Sequence, residues 1–248
     1  MPCCAPAYSS PPVRLRRVIA LALILPVSVF AHSLRVRPSQ GGLVRPARPV
    51  LERFVAAAVE RTHHIVRYDG SYVRIPYPGG DVPASTGVCT DEVIRAYRAV
   101  GIDLQKEVHI DMLNDLSAYP RRWPSTSHAS GPASTDTNID HRRVANLMVF
   151  FRRHGDALPL SADASDYHPG DIVTWNLGGG ITHIGMVVDQ KSPRSGRYLV
   201  VHNIGRGPQM EDVLFDWKII GHYRYLGERT GSQQRHQGTA VSRFGDAS

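Results

Sequence analysis

The hydrophobic period of this 248-residue chain changes once along its length, and that change limits the fold more than any other feature. Up to about residue 155 the apolar residues recur at helical spacing. Leu51, Phe54, Val55, Ala58, Val59 and Thr62 predict a helix over 50–64. Val88, Val93, Ile94, Tyr97 and Val100 predict a second over 88–100, stopped at Gly101. A short helix fits within 102–120. Val144, Leu147, Phe150 and Phe151 predict another over 141–154, stopped at Gly155. From about residue 171 the pattern becomes strand and turn: 171–176, 184–189, 198–203 and a piece near 223–226, separated by Gly178–Gly180 and Pro193–Gly196. Helices first and an antiparallel run afterwards define an α+β domain, with N-terminal helices packed on the sheet. Residues 68–83 and 121–138 are rich in turn formers and predict loops. One domain over 49–227 accounts for the whole pattern.

The two ends lie outside that domain. Arg14, Arg16 and Arg17 precede an apolar run from Val18 to Ala31, ending in Val29-Phe30-Ala31. A basic start, a short apolar stretch and a small-residue site describe a signal peptide over 1–31. The run of about 14 residues is shorter than the roughly 20 that a spanning helix needs, and it contains Pro26. Retention as an anchor is the alternative. Cys3 and Cys4 precede the run, where a lipid-attachment cysteine would follow it. The expectation is a periplasmic or secreted protein with no stable membrane span after cleavage. Residues 32–48 predict an Arg- and Pro-rich leader, and 228–248 a polar, disordered tail. The formal charge is +7; removing the three signal arginines from 29 basic residues leaves 26 against 22 acidic, or +4. These bases are dispersed, so no nucleic-acid partner is expected.

Cleavage would leave Cys89 as the sole cysteine. In an oxidising compartment structural cysteines pair, so a solitary one is either a buried small hydrophobe or a reactive thiol. Its neighbours favour reactivity. Ser85-Thr86-Gly87-Val88-Cys89-Thr90-Asp91 puts Cys89 where a Gly-containing loop enters a helix. The positive end of the helix dipole there favours a thiolate, and the free N–H groups suit an oxyanion. His183 opens a strand after the glycine turn, and His202 ends the next strand 19 residues on. If those strands form a hairpin, the two histidines share one edge of the sheet. A cysteine on a helix start, a histidine on a strand and a polar residue beside it form the papain arrangement: nucleophile, base and orienting group.

The motifs also resemble those of a known family. Pro76-Tyr77-Pro78-Gly79-Gly80 through Gly87-Val88-Cys89-Thr90-Asp91 resembles the nucleophile region of NlpC/P60-type cell-wall peptidases. Pro169-Gly170-Asp171-Ile172-Val173, followed by His183-Ile184-Gly185, resembles their second motif, and Val201-His202-Asn203 their third. More closely, the span 50–226 resembles the bacterial, mostly exported domain of unknown function 1287 family. The peptidase resemblance implies a papain-like fold, Cys89 as nucleophile, His183 as base and His202 as third member. It also implies oxyanion or substrate contacts from Tyr77, Asp91 and Asn203. Val88 and Thr90-Asp91 replace the family's Asp before, and Ser-Gly after, the cysteine, so its peptide specificity does not carry over. Residues 102–160 form an insertion between nucleophile and base that could cover or reshape the cleft.

The expected activity is that of a cysteine peptidase or amidase cleaving peptidoglycan stem peptides, or another peptide substrate, through a thioester. The alternatives are a non-catalytic wall-binding module on the same scaffold and an acyltransferase. No cofactor is implied. Cys89, His183 and His202 lack a fourth partner for zinc, so no metal is expected. Asp91 has a plain alternative role in capping the helix, Asp171 in tying a turn, and Trp175 in the core. The pair His63-His64 suits a surface helix end. Tyr68, Asp69 and Tyr72 are turn formers that could also line the cleft.

Overall fold

The computed structural model describes residues 49–120 and 134–227. The expected signal peptide, leader and C-terminal tail, and most of the loop 121–138, lie outside the described residues. Among the described residues there are four α-helices: α1 Val50–Arg61, α2 Cys89–Ala99, α3 Leu104–Asn114 and α4 Val144–His154. Two short parallel strands, β1 Arg67–Tyr68 and β2 Thr86–Gly87, tie the loop before α2 to its approach. The remaining strands are β3 Asp156–Ala157, β4 Ile172–Asn176, β5 Thr182–Lys191, β6 Tyr198–Asn203, β7 Pro208–Glu211 and β8 Lys218–Arg224. They make one antiparallel sheet in the order β3-β8-β4-β5-β6-β7.

Strand alternation sends the apolar residues to two cores. Ile172, Ile184, Met186, Val188, Val201 and Tyr223 pack with Phe54, Val93, Tyr97, Leu147 and Phe151 of the helices. Val173, Trp175, Val187 and Val200 face the other way, against Tyr167, Val213 and Leu214 from the connecting loops. Burial on both faces explains why β5 runs apolar without strict alternation. Asp171 does tie its turn: it accepts the His168 N–H at 2.8 Å, and it also holds His222 at 2.9 Å and Arg224 at 2.6 Å, pinning β4 to β8. Gly101 follows α2 with φ +90, the left-handed stop that glycine adopts without strain.

Besides the short edge strand β3 and the longer ends of β5, two elements differ from the sequence pattern. Strand β7, over 208–211, is absent from it because Pro208 and the flanking glycines carry a turn signature, and pairing with β6 overrides it. The last strand begins at Lys218 rather than near Tyr223, because it pairs with β4 along that whole strand, across one bulge.

Candidate active site

The start of α2 is built to be rigid. Val88 is extended and has no side-chain oxygen to cap the helix, so Asp91 reaches back and accepts the Val88 N–H at 2.7 Å. The same carboxylate receives two donors from Arg142, Nε at 2.8 Å and Nη2 at 3.0 Å. Thr90 donates its hydroxyl to the Arg142 carbonyl at 2.9 Å. All three side chains are buried. Arg142 therefore clamps the segment before α4 over the first turn of α2, where Cys89 is the first helical residue.

Cys89 lines a cavity of about 400 Å³ together with Tyr68, Ile139, Arg143, Val144 and Ile181. Ile139, Arg142, Arg143 and Val144, from the segment between α3 and the start of α4, line this cavity. Cys89 itself is only 5% exposed. Burial pushes its pKa up to about 12, with the negative charge of Asp91 adding to the rise. The N–H groups of Ile184, Thr90 and Cys89 point at the sulfur and pull the other way. The helix start thus favours the thiolate as expected, but desolvation outweighs it and the resting group is a neutral thiol. The Tyr68 hydroxyl faces the same sulfur; burial first, with the neighbouring Cys89 sulfur and the charge of Asp91 adding to it, raises its pKa to about 12, so it stays a phenol and a donor.

The Ile184 N–H belongs to the peptide that follows His183, which puts the start of β5 against the thiol. Gly185 sits opposite His202 in the β5–β6 ladder, so His183 and His202 are diagonal neighbours on one face. His183 Nε2 lies 2.9 Å from His202 Nδ1, and His202 Nε2 lies 3.0 Å from Glu211 Oε2 on β7. Trp175 and Trp217 pack around the pair, with Trp217 edge-on to both rings at centroid distances of 6.0 and 6.1 Å. Burial in this aromatic surround lowers the pKa of His183 to about 3, with His202 adding repulsion. Burial also lowers His202, against the pull of Glu211. Both rings are neutral near pH 7, the form in which an imidazole accepts a proton.

Of the six residues expected at the site, His183 and His202 touch each other on the face of the sheet that carries Val187 and Val200, while Cys89 meets the start of β5 at the backbone N–H of Ile184. The other three make different contacts. Tyr77 is 41% exposed and packs edge-on to His109 of α3; Tyr68, a turn former in sequence terms, faces the thiol instead. Asp91 is spent on its cap and on Arg142, the plainer of its two expected roles. Asn203 is fully buried and accepts the Gly205 N–H at 3.1 Å, without lining the cavity. Glu211 and Trp217 carried no sequence signal, because their roles depend on β7 and on the loop before β8. Among the described residues no group of three or more His, Cys, Asp or Glu converges as a metal site.

Comparison with known proteins settles the relationship. Residues 55–225 match the family described as Domain of unknown function (DUF1287). Over 208 residues the chain is 52% identical to the Escherichia coli K12 protein named Uncharacterized protein YijF, covering 84% of this chain and 98% of that one. The chain belongs to the DUF1287 family. The DUF1287 match runs from α1 to the end of β8, so the thiol, both histidines and Glu211 all fall inside it. Among the described residues of this DUF1287 chain, no helix is long and apolar enough to cross a membrane.

Proposed function

We propose that the chain is an exported thiol peptidase or amidase on a papain-like scaffold, acting on stem peptides of peptidoglycan. The observation that carries this reading is the seat of Cys89: the first position of α2, lining a cavity, beside the N–H that directly follows His183. The order nucleophile on a helix start, base on a strand, and orienting group on the next strand supports it, as does the resemblance to NlpC/P60-type peptidases. As the sulfur attacks the amide carbon, its proton passes to His183. In this reading the Cys89 N–H and the Tyr68 hydroxyl donate to the oxyanion once the thiol has lost its proton. The imidazolium then gives the proton to the leaving amine, and a thioester remains. Water, or an amine acceptor in the transferase variant, is deprotonated by His183 and releases the acyl group with return of the thiol. Because thiol and imidazole are both neutral at rest, the proton moves during attack rather than beforehand.

Purified peptidoglycan incubated with wild type and Cys89→Ala, with released fragments read by mass, tests this. Fragments from wild type alone are expected; equal digestion by both overturns the reading. One observation favours the second reading, a non-catalytic wall-binding module, namely the burial that keeps Cys89 a neutral thiol. That reading predicts that neither protein releases fragments and that both sediment with the wall material.

A further inference from the structure

We propose that Glu211 is a positioning residue that sets the tautomers of both histidines and so determines which nitrogen of His183 acts as the base. The inference rests on the thiol reading above and deepens it. The geometry is a linear chain: His183 Nε2 to His202 Nδ1 at 2.9 Å, then His202 Nε2 to Glu211 Oε2 at 3.0 Å. Two neutral imidazoles in contact do not fix their own tautomers, since each ring has one donor and one acceptor and the chain runs equally well in either direction. A carboxylate breaks that symmetry. An ionised carboxylate only accepts, so His202 must carry its proton on Nε2. Its Nδ1 is then bare and accepts from His183 Nε2–H. The lone pair on His183 is left on Nδ1. The proton released by the thiol in the proposed reaction goes to that atom, and the imidazolium then formed is stabilised through His202 by the Glu211 charge.

The surroundings fit a device of this kind. Glu211 sits on β7, four residues long and at the edge of the sheet, and its side chain is 32% exposed while the imidazole it contacts is 1% exposed. Its second oxygen lies 3.5 Å from Arg206 Nη2. The charged groups felt by His202 are Glu211, Asp216 and Arg206, and Glu211 is the one in hydrogen-bonding contact. Trp217 covers the two rings, which keeps competing water donors from the chain.

The test uses the full chain with nitrogen-15 histidine, in wild type, Glu211→Gln and Glu211→Ala. In wild type His183 should show a pyridine-type Nδ1 and a pyrrole-type Nε2. Glutamine, which can donate as well as accept, and alanine should both give mixed tautomers at His183. Alkylation of Cys89 by iodoacetamide should slow by roughly tenfold or more in both, part of the ~10²–10⁴ that a positioned base contributes. Glu211→Gln retains the side-chain volume and covers the case in which Glu211→Ala fails to fold. A reactive Cys89 with His183 unchanged in both variants overturns the role of Glu211 alone. Tautomers that respond while Cys89 is inert in every form overturn the thiol reading alone.

Discussion

Replacing Asp91 with alanine should cost the domain about 3–5 kcal/mol. The figure follows from what the carboxylate touches. Asp91 and Arg142 form a two-pronged pair whose side chains are each 2% exposed. An exposed ion pair contributes only ~0.2–1 kcal/mol, but removing one partner of a buried pair leaves a charge without compensation, at ~3–5 kcal/mol. The lost bond to the Val88 N–H at 2.7 Å adds a capping cost of ~0.5–2 kcal/mol, which overlaps with the first because both free the same turn. With a urea m-value of ~2 kcal/mol/M, the unfolding midpoint should fall by about 2 M. Asp91→Asn should be nearly as costly, since it keeps an acceptor for Val88 but not the charge. Replacing Asp91 and Arg142 together with apolar residues should cost less than Asp91→Ala alone. A midpoint shift below ~0.5 M would refute the reasoning, and a gain in stability would mark Asp91 as a strained substrate ligand rather than a structural cap.

Two further outcomes follow from the same geometry. At Gly185 a Cβ would lie 2.7 Å from Val200 Cγ1 and 3.2 Å from His202 Cβ, so Gly185→Ala should destabilise by about 1–3 kcal/mol and displace His202, read as a loss of the His183–His202 contact in a crystal structure. Burial, with repulsion from Arg142 and Arg98, lowers the His141 pKa to about 4 against about 6.5 in the unfolded chain. The unfolded state binds more protons there, so the stability is fully present above pH ~6.5 and falls by up to about 3 kcal/mol on acidification through pH ~4. Urea titrations across that window should show a shallower slope for His141→Leu; an unchanged slope would place the acid sensitivity elsewhere.

The helices and the central strands were legible because their signals are local. Phe54, Val55 and Ala58 mark one face of α1 by spacing alone, and the glycines and histidines around 178–203 announce a hairpin. The seats of Cys89 at the start of α2 and of His183 near the start of β5 were legible for the same reason, since each follows a local turn signal. What stayed hidden depends on distant pairing. Glu211 lies in four residues that look like a turn until β6 pairs with them. Tyr68 reaches the thiol because β1 pairs with β2 at the entry to α2, whereas Tyr77, the sequence match, is carried off to His109. The state of the thiol was also beyond the local pattern: the helix start is visible in the sequence, but the burial that outweighs it depends on segments far along the chain, Arg142 and Val144 among the neighbours.

Acyl transfer to the thiol tests the central claim most directly. With p-nitrophenyl acetate, wild type should accumulate an acetyl adduct on the peptide that contains Cys89. Cys89→Ala should give none, and His183→Ala should form it ~10²-fold or more slowly. An adduct forming as fast in His183→Ala as in wild type, or forming only on another residue, would contradict the pairing of Cys89 with His183.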